Sequence, residues 1–230
     1  MSNIKKKLFF LAIFSIIGFI ALQIPFNQIL GSNISFTLFD FLGPIAGAFL
    51  GPFYGIASVF GVLLINVFVK QTPITTSVLI RLFPTLFAVF YFAAISSKKY
   101  HGNGSTPLTT RWILAVPILC IIAFIAHPIG RYVPYYPLIF WWIPVAAYLK
   151  RDNLFIKSLG ATFTAHAVGS TAFLYALNLP VAVWQSLPPI VACERLLFAT
   201  GIAASYLVVK YALEFLASKK LLPKVEFVSS

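Results

Sequence analysis

The sequence predicts an all-α, polytopic transmembrane helical bundle of about eight spans, and three observations predict it. Of 230 residues, 60% are hydrophobic and only 10% charged, with a mean hydropathy of +0.94. The apolar runs are long enough to cross a hydrocarbon core of about 30 Å. The basic residues behind the formal net charge of +12 sit mostly between those runs, where they orient a membrane protein and do not build a nucleic-acid surface. A single integral domain over 1–230 is expected, multi-pass in the cell membrane, with the lipid bilayer as its environment.

The first apolar run, 8 to 24, follows Lys5, Lys6 and Lys7. It resembles a signal peptide in that respect, but Ala21 leads into Leu-Gln-Ile-Pro without a small-x-small cleavage site, so it is read as a retained span. The stretch from Phe39 to Lys70 then organises the rest. Its glycines Gly43, Gly47, Gly51 and Gly55 recur every fourth residue, which puts small residues on one helical face and lets backbones approach closely. As one helix, 39 to 69 would be about 46 Å long, against about 30 Å of hydrocarbon. A break is therefore expected at Gly51-Pro52, because proline removes a donor and disfavours helix in the residue before it. That gives spans at 39 to 50 and 53 to 69, followed by runs at 78 to 95, 111 to 127, 137 to 149, 158 to 177 and 188 to 212.

Charge placement supports the count. With eight spans and both termini cytoplasmic, thirteen of the seventeen Lys and Arg residues fall inside, among them Lys98, Lys99, Arg111, Lys150, Arg151, Lys157, Lys210, Lys219, Lys220 and Lys224. Lys70, Arg81, Arg131 and Arg195 fall toward the outside. An internal repeat points the same way. IIGFIALQIP from Ile16 matches IIAFIAHPIG from Ile121, Pro44 of the second run matches Pro144 of the sixth, Gly55 matches Gly160, and Arg81-Leu-Phe matches Arg195-Leu-Leu-Phe. Two parallel four-span units, 1–100 and 101–230, would be related by a pseudo-twofold axis along the membrane normal.

Charges inside a bilayer are expensive and mark functional sites by default. Asp40, Arg81, Arg131, Glu194 and Arg195 all fall in or near the outer half. Adjacent helical residues point about 100° apart, so Glu194 and Arg195 are expected to find partners elsewhere, with Glu194 or Asp40 available to either Arg81 or Arg195. These groups form either interhelical ion pairs that fix packing or a polar, outward-facing cavity for an anionic or zwitterionic solute. Trp141, Trp142, Trp184, Tyr132, Tyr135 and Tyr136 make an interfacial belt or, alternatively, a stacking box. His166, in TFTAHAVGST, either hydrogen-bonds a neighbouring helix or contacts ligand, while His127 sits at a span end. Asn66 and Asn178 cap helices or line the same cavity. The candidate ligand-binding set is thus Asp40, Arg81, His166, Glu194 and Arg195.

Catalytic patterns are absent: no HExxH, no Gly-x-Ser-x-Gly and no phosphate loop. Five acidic residues, with Glu214 and Glu226 near the C-terminal end, are too few for a metal-dependent hydrolase, and Cys120 and Cys193 lack ligand spacing. No metal or cofactor is expected, and no recognised catalytic motif points to an enzyme.

The segment FTLFDFLGPIAGAFLGPFYGIASVFGVLLINVF, 36 to 68, resembles the membrane-embedded substrate-binding subunits (S components) of energy-coupling-factor vitamin transporters, through the pattern Gly43, Pro44, Gly47, Gly51 followed by Gly55. The resemblance implies an outward-facing site for a small solute and a partner transmembrane coupling subunit with ATPases. The chain differs from that family in having eight apolar runs rather than six, and in the three-residue spacing of Ala12, Ser15, Gly18 and Ala21 in its first run. Solute recognition for uptake is the expected role. The alternatives are a membrane enzyme acting on a lipid or isoprenoid, with Glu194 or His166 as acid or base, and a scaffold that docks another membrane protein on the glycine seam.

Overall fold

A chain this apolar resolves its backbone hydrogen bonds most simply in helices, which satisfy donors and acceptors internally. The computed structural model describes residues 3–28, 35–96, 108–177 and 179–219, and is helical apart from turns and one two-stranded ribbon. Lys98, Lys99, Asn178, Lys220, Lys224 and Glu226 lie outside the described residues. The elements are α1 (Asn3–Leu22), β1 (Pro25–Gln28), β2 (Ser35–Thr37), α2 (Phe39–Leu42), α3 (Ala46–Val69), α4 (Thr76–Arg81), α5 (Pro84–Ser96), α6 (Leu108–Ala126), α7 (Tyr135–Phe140), α8 (Ile143–Ala147), α9 (Leu154–Leu177) and α10 (Val181–Ser218). Among the described residues, Ala46–Val69, Thr76–Ser96 and Val181–Ser218 are long and apolar enough to cross a membrane, and Leu8–Leu22 and Trp112–Ala126 are shorter apolar helices.

Helix α3 is not one rod. Gly51 has φ 78° and ψ 173°, a conformation open to glycine and strained for other residues, and Pro52 follows it. The backbone carbonyl of Ala46 lies 3.0 Å from where a Cβ on Gly55 would stand. Along a straight helix these residues would be about 13 Å apart, so the chain folds back at Gly51. The break expected at Gly51-Pro52 is present. The four glycines do not, however, form one continuous face. Gly43 packs on Thr85 and Gly47 on the Val89 carbonyl and Ala93, while Gly55 receives Ala46 and Gly51 makes the reversal.

Side-chain registers fix the relative directions of five helices. Ser15 and Ser58 share a 2.9 Å hydrogen bond, and Gln23 Nε2 donates to Asn66 Oδ1 at 3.0 Å, both at a separation of 43 residues. Helix α1 and the part of α3 after Gly51 are therefore parallel, and the same register sets the Gly51 reversal level with Leu8, just past Lys5–Lys7. The pairs Gly43–Thr85 and Gly47–Val89 make the segment before Gly51 parallel to α5. Gly160 against Tyr91 and Gly169 against Pro84 make α9 antiparallel to α5. Gly201 against Phe41, with Phe49 stacked on Tyr206 at 5.2 Å, aligns α10 with the α2–α3 start.

Several expected spans are interrupted. The run at 78 to 95 divides at Leu82-Phe83, where Pro84 opens α5, and its N-terminus is capped by Thr75 Oγ1 accepting from the Val78 amide at 3.3 Å. The run at 137 to 149 divides into α7, α8 and a 3₁₀ turn at Tyr148–Lys150. Helix α10 runs 38 residues, about 57 Å, nearly twice the hydrocarbon thickness. The buried residues form two apolar clusters. One gathers Phe39, Ile45, Val59, Val89, Tyr91 and Phe92; the other gathers Phe124, Tyr136, Trp141 and Trp184.

Candidate functional site

The β-ribbon was not expected from the sequence, and it organises the charged residues. Pro25 opens β1, a position where its missing N–H does no harm, and β1 pairs antiparallel with β2 through Asn27 opposite Phe36 and Gln28 opposite Ser35. Phe26 seats the ribbon on the bundle by packing against Phe41 and Phe198, at ring distances of 4.7 and 5.6 Å. Three successive residues of β2 then meet three of the candidate charges. The Ser35 carbonyl accepts from Arg81 Nη2 at 3.3 Å, the Phe36 ring lies 5.4 Å from the Arg195 guanidinium, and the Thr37 amide donates to Asp40 Oδ2 at 2.8 Å.

Asp40 also accepts from Thr37 Oγ1 at 3.3 Å, so its carboxylate is occupied locally and ties β2 to the start of α2. No arginine makes a direct ion pair with it among the described residues. Arg195 is 5% exposed. Its guanidinium lies 4.2 Å from the Phe198 ring centre, Nη1 donates to Thr162 Oγ1 at 3.2 Å, and Nη2 donates to Glu194 Oε2 at 3.4 Å. The expectation that Glu194 and Arg195 cannot serve each other is corrected by this last contact. The long arginine side chain spans the 100° offset between neighbouring helical positions, which Cα geometry alone does not anticipate.

His166 stands one helical turn above Thr162 on α9. Its Nε2 shares a 3.0 Å hydrogen bond with the Tyr136 hydroxyl, and the rings of Trp141 and Phe163 lie edge-on at 6.2 and 6.3 Å. Tyr136 packs in turn against Trp184 at 5.4 Å and Phe124 at 5.6 Å. The six aromatics grouped in the sequence therefore separate: Trp141, Trp184 and Tyr136 are buried around His166, whereas Trp142, Tyr132 and Tyr135 are exposed. Arg131 does not join them, since it is exposed and donates to the Pro128 carbonyl at 3.3 Å. His127 accepts from the Ile129 amide at 3.2 Å and meets Tyr175 edge-on, at a helix end.

Three buried donors in this region, Arg195 Nε, Trp141 Nε1 and Trp184 Nε1, find no hydrogen-bond acceptor among the described residues. Buried donors are normally satisfied, because an unpaired one loses its hydration without return. Arg195 with Thr162, and one helical turn along α9 the Tyr136–His166 pair with Trp141, make a polar, aromatic-walled centre between α7, α9 and α10, while Trp184 packs on Tyr136 eleven residues before Arg195 on α10. No group of three or more His, Cys, Asp or Glu among the described residues could hold a metal ion.

Fold and centre together define the class: a helical membrane protein with a buried polar and aromatic centre. No family model matches the chain, and no solved structure matches it. An uncharacterized protein of Methanocaldococcus jannaschii is similar to it, 27% identical over 221 residues that cover 88% of this chain and 70% of that protein.

Proposed function

We propose that the chain captures a small anionic or zwitterionic solute for uptake, as the membrane subunit of an ATP-driven transporter. The observation that carries this reading is the set of buried, unpaired N–H donors on Arg195, Trp141 and Trp184. Donors without acceptors fit a ligand rich in acceptors, such as a carboxylate or phosphate, held by Arg195 and walled by the aromatic rings. Arg81 and Asp40, fastened to β2, position the ribbon over Arg195 in this reading, with Glu194 balancing its charge.

In the same reading the chain crosses the bilayer in eight alternating segments with both termini cytoplasmic. The register that places Gly51 level with Leu8 supports it, since the reversal then falls beside Lys5–Lys7 on the face that positive residues prefer. The two short segments, α2 with the start of α3 and α7 with α8, are both broken and both carry a proline, Pro44 and Pro144, which agrees with two units, 1–100 and 101–230. The resemblance of 36–68 to energy-coupling-factor S components supplies the partner: a transmembrane coupling subunit with ATPases.

A second reading, a lipid- or isoprenoid-directed membrane enzyme, has the Tyr136–His166 hydrogen bond in its favour as an acid–base pair. The scaffold reading loses ground, since Gly43 and Gly47 are already filled by α5 of the same chain.

The test is purification of the tagged chain from its native membranes in mild detergent, with mass spectrometry of the proteins and small molecules that accompany it. An acidic or zwitterionic solute that leaves with Arg195→Ala, together with an ATPase-bearing module, is the expected result. Retention of the solute by Arg195→Ala, with the protein still folded, would sink the assigned site.

A further inference from the structure

We propose that the groove between α8 and the first turns of α9 holds an acyl chain of an anionic phospholipid, with the lipid phosphate on Lys150. The inference rests on the membrane reading above but not on the solute site. The groove has a volume of about 350 Å³ and is lined by Trp142, Ala146, Leu149, Lys150, Ile156 and Leu159. That is the size of a small-molecule site. Its walls are almost wholly apolar, and Lys150 is the one basic residue among the lining residues.

Four features select the occupant. Leu149 is 83% exposed and Trp142 54%, so the groove opens outward on side chains that lipid solvates and water does not. Lys150 closes the 3₁₀ turn that follows α8, which puts a basic residue at one end of an apolar slot. Arg151 follows in sequence, its guanidinium held 4.8 Å from the Tyr148 ring centre, which adds a second positive charge to the same turn. Trp142, eight residues before Lys150, lines the far part of the slot with a broad apolar ring face for an acyl chain. A basic pair at the end of an apolar slot between helices is the pattern that recognises anionic headgroups. A zwitterionic lipid fills the same slot with its acyl chain but brings its own cation toward Lys150 and Arg151.

The experiment titrates the purified full-length chain in detergent with phosphatidylglycerol or phosphatidylcholine and counts bound lipid by native mass spectrometry. Phosphatidylglycerol is expected to be retained about fivefold more tightly, the ratio one basic contact supports. Lys150→Glu should abolish the difference and Lys150→Arg should keep it. Ala146→Phe, which fills the slot, should weaken both lipids. Leu149→Asp, at a position too exposed to threaten folding, should do the same. Equal retention of the two lipids by the unmodified chain, or retention indifferent to Ala146→Phe and Leu149→Asp, overturns the proposal; the second result would leave only surface attraction at Lys150. Both faces of the protein are accessible in detergent, so failure here leaves solute capture standing, and loss of the solute reading leaves the lipid titration unaffected.

Discussion

The guanidinium of Arg195 lies face-on to Phe198 at 4.2 Å while its Nη2 reaches the carboxylate of the preceding residue, Glu194, at 3.4 Å. One side chain thus joins α10 to α9 through Thr162 and to the β-ribbon through Phe36. A desolvated cation over an aromatic face contributes about 2 kcal/mol, and the planar fork is what allows simultaneous stacking and hydrogen bonding.

Arg195→Lys keeps the charge but loses the fork and the stacking. Under the transport reading, retention of a co-purifying solute should fall at least about tenfold, whereas Arg131→Lys, at an exposed site outside the centre, should leave it unchanged. Quantifying solute per mole of purified protein checks both.

Tyr136→Phe removes the hydroxyl that His166 Nε2 meets at 3.0 Å and leaves a half-buried imidazole without that partner. A loss of about 1–2 kcal/mol in stability is expected, read as a lower unfolding midpoint in detergent. Under the transport reading solute binding weakens modestly; under the enzyme reading turnover collapses.

At Gly55 an added Cβ would stand 3.0 Å from the Ala46 carbonyl, but at Gly61 it would meet nothing within 4 Å. Gly55→Ala should therefore cost about 1–3 kcal/mol by prying open the Gly51 reversal. Gly61→Ala, in the same helix, should gain about 0.5–1 kcal/mol from reduced backbone entropy in the unfolded chain. Paired thermal melts of the two variants give opposite signs if the fold-back is correct.

Gly51→Ala meets no steric obstacle, since nothing lies within 4 Å, yet its φ of 78° with ψ of 173° strains any residue bearing a Cβ. The expected loss is about 1–3 kcal/mol, and Pro52→Ala should not restore it because the strain resides in Gly51 itself.

The end of α3 offers the reverse case. Gln71 has φ 48°, its amide donates to the Phe68 carbonyl at 3.1 Å, and the Thr72 amide donates to the Val67 carbonyl at 3.0 Å, the two bonds of a Schellman cap. Glycine suits that left-handed position better, so Gln71→Gly should raise the unfolding midpoint by an amount equivalent to about 0.5–1 kcal/mol.

The helical class, the membrane environment and the break at Gly51-Pro52 were legible before any coordinates. Each depends on local chemistry: apolar density, run length against bilayer thickness, and the missing proline donor. The β-ribbon was not legible, because Pro25–Gln28 and Ser35–Thr37 are four and three residues long and pair across six intervening positions. The internal division of the fourth and sixth runs was signalled only by Pro84 and Pro144, which apolar runs tolerate without changing their composition.

Of the candidate site, the sequence singled out charged residues that need partners, but not the partners they take. Asp40 turned to Thr37 and Glu194 to its own neighbour, and Arg81 took a backbone carbonyl. Tyr136 and Trp184 were separated from His166 in the sequence by 30 and 18 positions and gave no periodic signal connecting them. By itself the sequence determined what kind of protein this is, since burying so many apolar side chains in lipid-length helices is a property of each segment alone. Only the tertiary structure decided which charges are spent on the ribbon and which buried donors are left without an acceptor, because a hydrogen bond between distant segments depends on how the helices stack.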